Sequence, residues 1–259
     1  MKHLSRLLWM AIKKELLIMR SYGFNTVIQF LTLAILFAMI YFGAKVLVGQ
    51  KSTFGNTTTA LILGYWIWMG ILMSFSQFAW SIITYAEQGL LEQLFMTPWQ
   101  LKRIIAVEAA GDFLISTTLN LLMLLLFMLI TGRWLRLEPL TTATLYVLIL
   151  LPGYGIGYAL AGLAMRFKNI QAIFNITQFA IVIFEALPVN THPWMKIFPF
   201  APGLRMLIQH VQKGTLLWQF SAQDLAVLIA QSVVYLALGL FIYSRLEDAA
   251  RERGLLAHY

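Results

Sequence analysis

The chain of 259 residues contains no cysteine, and only 12% of its residues are charged. The absence of cysteine excludes disulfide bonds and thiolate metal sites. The scarcity of charge accompanies a hydrophobic content of 60%, whereas soluble domains average about 45–50% apolar and about 25% charged residues. Because the apolar residues fall in runs long enough to cross a bilayer, the composition indicates an all-α polytopic membrane protein.

Signatures of catalysis are also missing from the sequence. The four histidines do not form the H-x-x-x-H pair of a zinc protease, and no G-x-S-x-G nucleophile elbow occurs. The string GQKS at 49–52 lacks the glycine spacing of a phosphate-binding loop. We therefore expect a non-enzymatic chain that binds no metal or cofactor and hydrolyses no nucleotide by itself.

Six stretches of the sequence are apolar enough to cross a membrane, for which a helix needs about 20 such residues. The fifth stretch is short and is followed by Pro188. We predict six transmembrane helices, at Val27–Val48, Ala60–Thr84, Ile104–Ile130, Thr144–Met165, Ala172–Leu187 and Leu225–Tyr243.

Lysine and arginine predict the orientation of these spans. With six spans, 12 of the 19 lysines and arginines lie on the side of the two termini and 7 on the other. Cytoplasmic loops carry the excess of these residues, so both termini are predicted to be cytoplasmic. The loops also account for the net charge of +8, and we expect no nucleic-acid partner.

Two further segments are predicted to lie at the membrane surfaces. Residues 1–23 carry apolar side chains at three- and four-residue steps, which indicates an interfacial helix; a cytoplasmic helix with a solvated face is the alternative. Residues 189–223 contain three prolines among apolar residues. This predicts two short helices, broken near Pro199–Pro202, that re-enter the outer leaflet against protein.

Three carboxylates fall within or beside the predicted spans. Glu108 and Asp112 lie four residues apart and share one face of span three, and Glu185 lies near the outer end of span five. Charges at this depth are costly and rarely face lipid. Pairing with basic residues such as Arg103 is favoured for the first two, whereas a structural role and a pathway role stay equally open for Glu185.

Aromatic residues cluster at the start of span two, in the string GYWIWMG. Tyr65, Trp66 and Trp68 are placed there in the outer half of the membrane. An aromatic belt explains such residues without a ligand, and stacking against a flat or sugar ring is the alternative. Together with Glu185 they are the candidate residues of a substrate pathway.

Small residues in span four predict a site of helix packing. Gly153, Gly157 and Ala161 lie four apart and therefore share one helix face, where they allow another backbone to approach closely. A nucleotide-binding G-x-G-x-x-G interpretation fails because Tyr158 occupies the position of the third glycine.

The polar segment 85–99 lies between spans two and three. Leu90, Leu91, Leu94 and Phe95 form an apolar stripe at helical spacing, and Pro98 ends the helix because proline cannot continue its hydrogen bonds. Its opposite side carries Glu87, Gln88, Glu92 and Gln93. The pattern predicts a short amphipathic helix at the cytoplasmic surface with one face free for a partner.

This segment, EQGLLEQLFMTPW, resembles the E-x-G-T-L-E-Q-L-x-x-T-P pattern of the membrane subunits of type-2 ABC exporters (the ABC-2 permease family). Leu90 departs from the pattern, where the family has threonine or serine. The order of segments along residues 1–259 also resembles a single permease domain of that family. The matching residues are Glu87, Gly89, Leu91, Glu92, Gln93, Leu94, Thr97 and Pro98.

The resemblance implies a complex in the prokaryotic plasma membrane. Two permease chains, identical or homologous, would pair with two cytoplasmic ATPase subunits that bind Mg-ATP. Residues 87–94, with Thr97 and Pro98, would form the coupling helix that contacts the ATPase. Substrate would leave along an interface lined by spans one, two and five. The expected cargo is a drug, lipid or glycolipid; polysaccharide export and a secondary transporter or channel subunit without an ATPase are the alternatives.

Overall fold

A computed structural model of the chain describes residues 2–48, 54–90, 101–167, 170–187 and 193–252. Within these residues the secondary structure is helical, without strands. The α-helices with defined bounds are α1 (Lys2–Ser21), α2 (Gly23–Val48), α3 (Phe54–Glu87), α4 (Leu101–Thr131), α5 (Pro139–Arg166), α6 (Gln171–Glu185), α7 (Ala201–Lys213) and α8 (Ala222–Glu252).

Five of these helices, α2, α3, α4, α5 and α8, are long and apolar enough to cross a membrane. The predicted all-α, multi-pass character is therefore confirmed, but the predicted number of six spans is not. Helix α6 corresponds to the fifth predicted span and has 15 residues. At 1.5 Å per residue it is about 22 Å long, shorter than a hydrocarbon core of about 30 Å.

Helices α3 and α5 form the centre of the bundle. In each, 61% of the most apolar window is buried, against 17% in α2, 28% in α4 and 22% in α8. The buried rings of Phe37, Phe75 and Phe127 belong to this core. Helices α2, α4 and α8 expose many large apolar side chains, as lipid-facing helices do.

The start of α5 is fixed by local sequence. The carboxylate of Glu138 accepts hydrogen bonds from the backbone amides of Leu140 and Thr141, at 3.1 and 2.7 Å, which satisfies two donors that a helix start leaves free. Pro139 takes the first turn, where its missing N–H is not needed. Pro152 lies inside α5, which nevertheless continues to Arg166 as one helix.

The connection from α6 to α8 is compact and partly helical. A 3₁₀ helix at Pro193–Ile197 precedes α7, and α7 lies against α3 and α5. The break falls at Phe200, a buried residue with a φ of 77°, which is unusual for a residue with a side chain. Lys196 and Arg205 both contact the carboxylate of Asp224, at 2.9 and 3.1 Å.

Helix α1 lies against the first half of α4. Gly111 of α4 faces Ala11 so closely that an added Cβ would lie 2.9 Å from the Cβ of Ala11. Trp9, Met10 and Leu17 are exposed on α1. These three apolar side chains of α1 are therefore available to lipid.

Candidate functional site

A groove runs along the side of the bundle between α2, α3 and α6. Its first part, which we name the Glu185 pocket, is a cavity of about 410 Å³, a volume within the range of small-molecule sites. The residues that line the Glu185 pocket are Leu36, Phe37, Ile40, Ala60, Leu61, Gly64, Tyr65, Trp68, Val182, Glu185, Ala186 and Leu204.

The second part, the Gln178 pocket, is a cavity of about 260 Å³ formed by the adjoining segments of the same three helices. Its residues lie next to those of the Glu185 pocket on each helix, before them on α2 and α6 and after them on α3, so we describe the two cavities as successive parts of one groove. Gln29, Ser76 and Gln178 give it polar side chains. The groove therefore changes along its length from amide-containing to almost entirely apolar.

Glu185 is the single acidic residue among the described residues that line its pocket. Its Oε1 atom is buried and has no hydrogen-bond partner in the described part of the chain. An added Cβ on Gly64 would lie 3.9 Å from this atom, which is the nearest neighbour it would meet. The absence of a side chain at Gly64 thus leaves space directly in front of the carboxyl group.

Two of the predicted aromatic residues join Glu185 in the pocket. The Tyr65 hydroxyl donates a hydrogen bond of 3.0 Å to the Leu33 carbonyl, and the Tyr65 ring lies 5.2 Å from that of Trp68. The Trp68 Nε1 is buried and has no acceptor among the described residues. Among the described residues that line the pocket, one acceptor, the Glu185 Oε1, and one donor, the Trp68 Nε1, are thus unpaired.

The third predicted aromatic residue, Trp66, lies elsewhere. Its ring stacks on Tyr146 with a centroid distance of 4.9 Å, and its Nε1 donates to the Asn120 carbonyl at 3.1 Å. Trp66 is almost completely buried between α3, α4 and α5. It serves the core of the bundle and not the groove.

A polar cluster joins α1, α3 and α4, and we name it the Lys14 junction after its central residue. The Lys14 ammonium donates to the Tyr85 hydroxyl at 2.8 Å and to the Glu108 carboxylate at 2.9 Å. Tyr85 in turn donates to Glu108 at 2.5 Å. Glu108 therefore pairs with a basic residue, as predicted, but the partner is Lys14 of α1. Lys14 lies 94 positions away in the sequence, so no local spacing could indicate this contact.

The electrostatics of the Lys14 junction keep its cation charged. Burial opposes the charge on Lys14, but the hydrogen bonds to Tyr85 and Glu108 outweigh this effect and raise the pKa of the ammonium above its ordinary value. Burial raises the pKa of the neighbouring Glu15 carboxyl. Asp112 is buried close to these charges.

The predicted coupling segment begins where α3 ends, at Glu87. Gln88 and Gly89 form an exposed turn, and Leu90 is half-buried. Gly89 has a φ of 66°, a conformation that residues with a side chain rarely adopt, so the turn explains a glycine here. Leu91, Glu92, Gln93, Leu94, Thr97 and Pro98 lie outside the described residues.

The predicted packing residues of α5 lie against α3. An added Cβ on Gly153 would overlap the Ser74 hydroxyl, and one on Gly157 would lie 2.8 Å from the Phe75 carbonyl oxygen. Ala161 is fully buried in the core. A closer contact lies on the opposite face of α5, where Gly155 meets Gly239 of α8; the four-residue spacing of small residues does not indicate it.

No protein-family model, curated protein or solved structure matches the chain. Within the described residues, no group of three or more histidine, aspartate or glutamate side chains is arranged to hold a metal ion. The groove, the Lys14 junction and the segment that follows α3 are the features of the chain that bear on its function.

Proposed function

We propose that this chain is the transmembrane subunit of an ATP-driven exporter that moves an amphipathic or hydrophobic substrate out of the cytoplasm or the inner leaflet. The observation that carries the proposal is the position of the motif EQGLLEQLFMTPW, which begins at the last residue of α3 and ends just before α4. A separate ATPase subunit is required, because the chain itself has no nucleotide-binding signature. We propose that this subunit contacts the motif.

The Lys14 junction supports this proposal because it lies next to the motif. Tyr85 is two residues before the end of α3 at Glu87, and its hydroxyl contacts both α1 and α4 through Lys14 and Glu108. A force applied to the turn at Gly89 would therefore reach three helices together.

The groove supports the transport part of the proposal. Its walls come from α2, α3 and α6, the helices of predicted spans one, two and five, which the resemblance assigns to the substrate path. An amphipathic molecule would find amide groups in the Gln178 pocket and apolar side chains in the Glu185 pocket. We extend the proposal to a pair of permease chains, as the resemblance implies, with cytoplasmic termini, as the distribution of lysine and arginine predicts.

The test uses the chain purified from membranes of its own host together with the ATPase that accompanies it. The variant Glu92→Arg reverses a charge on the proposed contact face. We expect it to lose the ATPase, or substrate-stimulated ATP hydrolysis, while the thermal midpoint of the membrane subunit is unchanged. Asp248→Arg is the matched control, because Asp248 is an exposed acidic residue on α8 outside the motif.

Two results would contradict the proposal. One is a Glu92→Arg variant that retains both the ATPase and its stimulation. The other is substrate movement by the chain alone in vesicles, driven by an ion gradient without nucleotide, which would indicate a secondary transporter.

A further inference from the structure

The Glu185 pocket combines an apolar cavity with a single buried carboxyl oxygen that lacks a partner. A carboxyl group removed from water takes up a proton unless hydrogen bonds or an opposite charge stabilise its ionised form. No lysine, arginine or histidine is among the described residues that line the pocket. The described part of the chain that forms the site therefore supplies no positive charge that would keep Glu185 ionised.

The shape and chemistry of the remaining wall restrict what could supply that group. Leu36, Ile40 and Val182 offer only apolar contacts. Tyr65 and Trp68 present aromatic rings, whose negative faces attract organic cations. The Tyr65 hydroxyl is already engaged with Leu33.

We propose that the Glu185 pocket binds a hydrophobic organic cation, with its apolar body in the cavity and its positive charge against the Glu185 carboxylate. The positive charge of the ligand compensates the negative charge of the buried carboxylate, and the rings of Tyr65 and Trp68 contact the adjacent part of the ligand. This inference deepens the proposed function and rests on it for the claim that the cation is a transported substrate.

Other ligand classes fit the same wall less well. A sugar would need partners for several hydroxyl groups, and the pocket offers Glu185 and the Trp68 Nε1 as its unpaired polar groups. A divalent metal ion takes several oxygen ligands, whereas Glu185 is the single acidic residue among the described lining residues. A neutral hydrocarbon would offer the carboxyl group neither a hydrogen bond nor an opposite charge.

The adjoining Gln178 pocket is consistent with a cationic ligand. Gln29 and Gln178 carry amide oxygens, which accept hydrogen bonds without bearing a charge. An organic cation that moves along the groove would pass from these neutral acceptors to the charged acceptor of Glu185.

The experiment measures equilibrium binding of radiolabelled tetraphenylphosphonium to the purified full-length chain in nanodiscs of zwitterionic lipid, with empty nanodiscs subtracted. Triphenylphosphine oxide is the neutral comparison, since it has similar aromatic rings and no net charge. We expect the cation to bind the wild-type chain at least about tenfold more tightly than the neutral compound, because interactions with an ionised partner are the stronger ones.

Two variants test the assignment of the site. Glu185→Gln should weaken cation binding about tenfold or more and leave the neutral compound unaffected. Glu138→Gln is its matched control and should change neither affinity, because Glu138 lies at the start of α5 outside the pocket. Gly64→Leu fills the space in front of the carboxyl group and should weaken both compounds.

The proposal is overturned if the wild-type chain binds the neutral compound as tightly as the cation, or if Glu185→Gln binds the cation normally. It is also overturned if Gly64→Leu leaves both affinities unchanged, because the ligand would then bind elsewhere. These measurements need no ATPase. If the chain binds the cation selectively but no ATPase co-purifies with it from host membranes, the site is retained and only the exporter proposal is contradicted. ATP-driven export without Glu185-dependent binding would contradict only the site.

Discussion

The contact between α5 and α8 gives the sharpest prediction about stability. Replacing Gly155 by alanine would place a Cβ against the carbonyl oxygen of Tyr235, 2.6 Å from the Tyr235 carbonyl carbon and 2.9 Å from the Leu236 Cα. Carbon atoms pack best at about 3.5–4.0 Å. All three neighbours are backbone atoms, so no side-chain rotation can relieve the overlap.

The expected cost follows from this geometry. The two helices must separate locally by about 1 Å, and a gap of that size forfeits a quarter to a half of the attraction between facing atoms. Overpacking of this kind typically costs about 1–3 kcal/mol, and the rigid neighbours place this site at the upper end. For a chain of this size, about 3 kcal/mol corresponds to a fall in the thermal midpoint on the order of 10 °C.

The assay is thermal unfolding of the purified chain in one detergent, followed by intrinsic tryptophan fluorescence. Gly43→Ala is the matched control, since an added Cβ on Gly43 of α2 would meet nothing within 4 Å. It should be neutral or slightly stabilising, because alanine favours a helix more than glycine does. Equal midpoints for Gly155→Ala and Gly43→Ala would refute the close approach of α5 and α8.

Two further predictions concern charges outside the groove. Lys14→Met should lower the thermal midpoint by an amount equivalent to about 1 kcal/mol, since it removes two hydrogen bonds to Tyr85 and Glu108. Lys13→Met is the control, because Lys13 is exposed. Equal effects of the two substitutions would contradict a stabilising role for the Lys14 junction. Hydrogen bonds at the start of α5 lower the pKa of Glu138 from its usual 4.5, so its stabilising effect is present above pH 4.5 and is lost as the pH falls through the lowered pKa. The midpoint of wild type minus that of Glu138→Gln should therefore be positive at pH 7 and shrink towards pH 3, and a constant difference would show that the carboxylate does not cap the helix.

The sequence predicted the helices well because their signal is local. Apolar runs bounded by polar residues define α2, α3, α4, α5 and α8 without any tertiary information. The shortness of α6 was visible in part, since Pro188 limits its apolar run. The extension of α8 to Glu252 was not predicted, because the charged residues that follow the apolar run are equally compatible with a helix outside the membrane and with a loop.

The groove was predictable only to the level of residue type. Tyr65 and Trp68 are three apart and share a helix face, whereas Trp66 points away from them, but the sequence does not reveal which face is buried. The structure turns Trp66 to the core and the other two to the Glu185 pocket. Contacts between distant segments, such as Lys14 with Glu108, have no local signature at all.

Helix α3 connects the Glu185 pocket and the Lys14 junction as one continuous helix. It runs from Phe54 to Glu87 without interruption, and at 1.5 Å per residue Tyr65 lies about 30 Å from Tyr85. Tilting such a rod by about 5° about its Tyr85 end would shift Tyr65 sideways by roughly 2.5 Å. A small rotation of α3 at the Lys14 junction would thus change the width of the Glu185 pocket by an amount comparable to the radius of a methyl group.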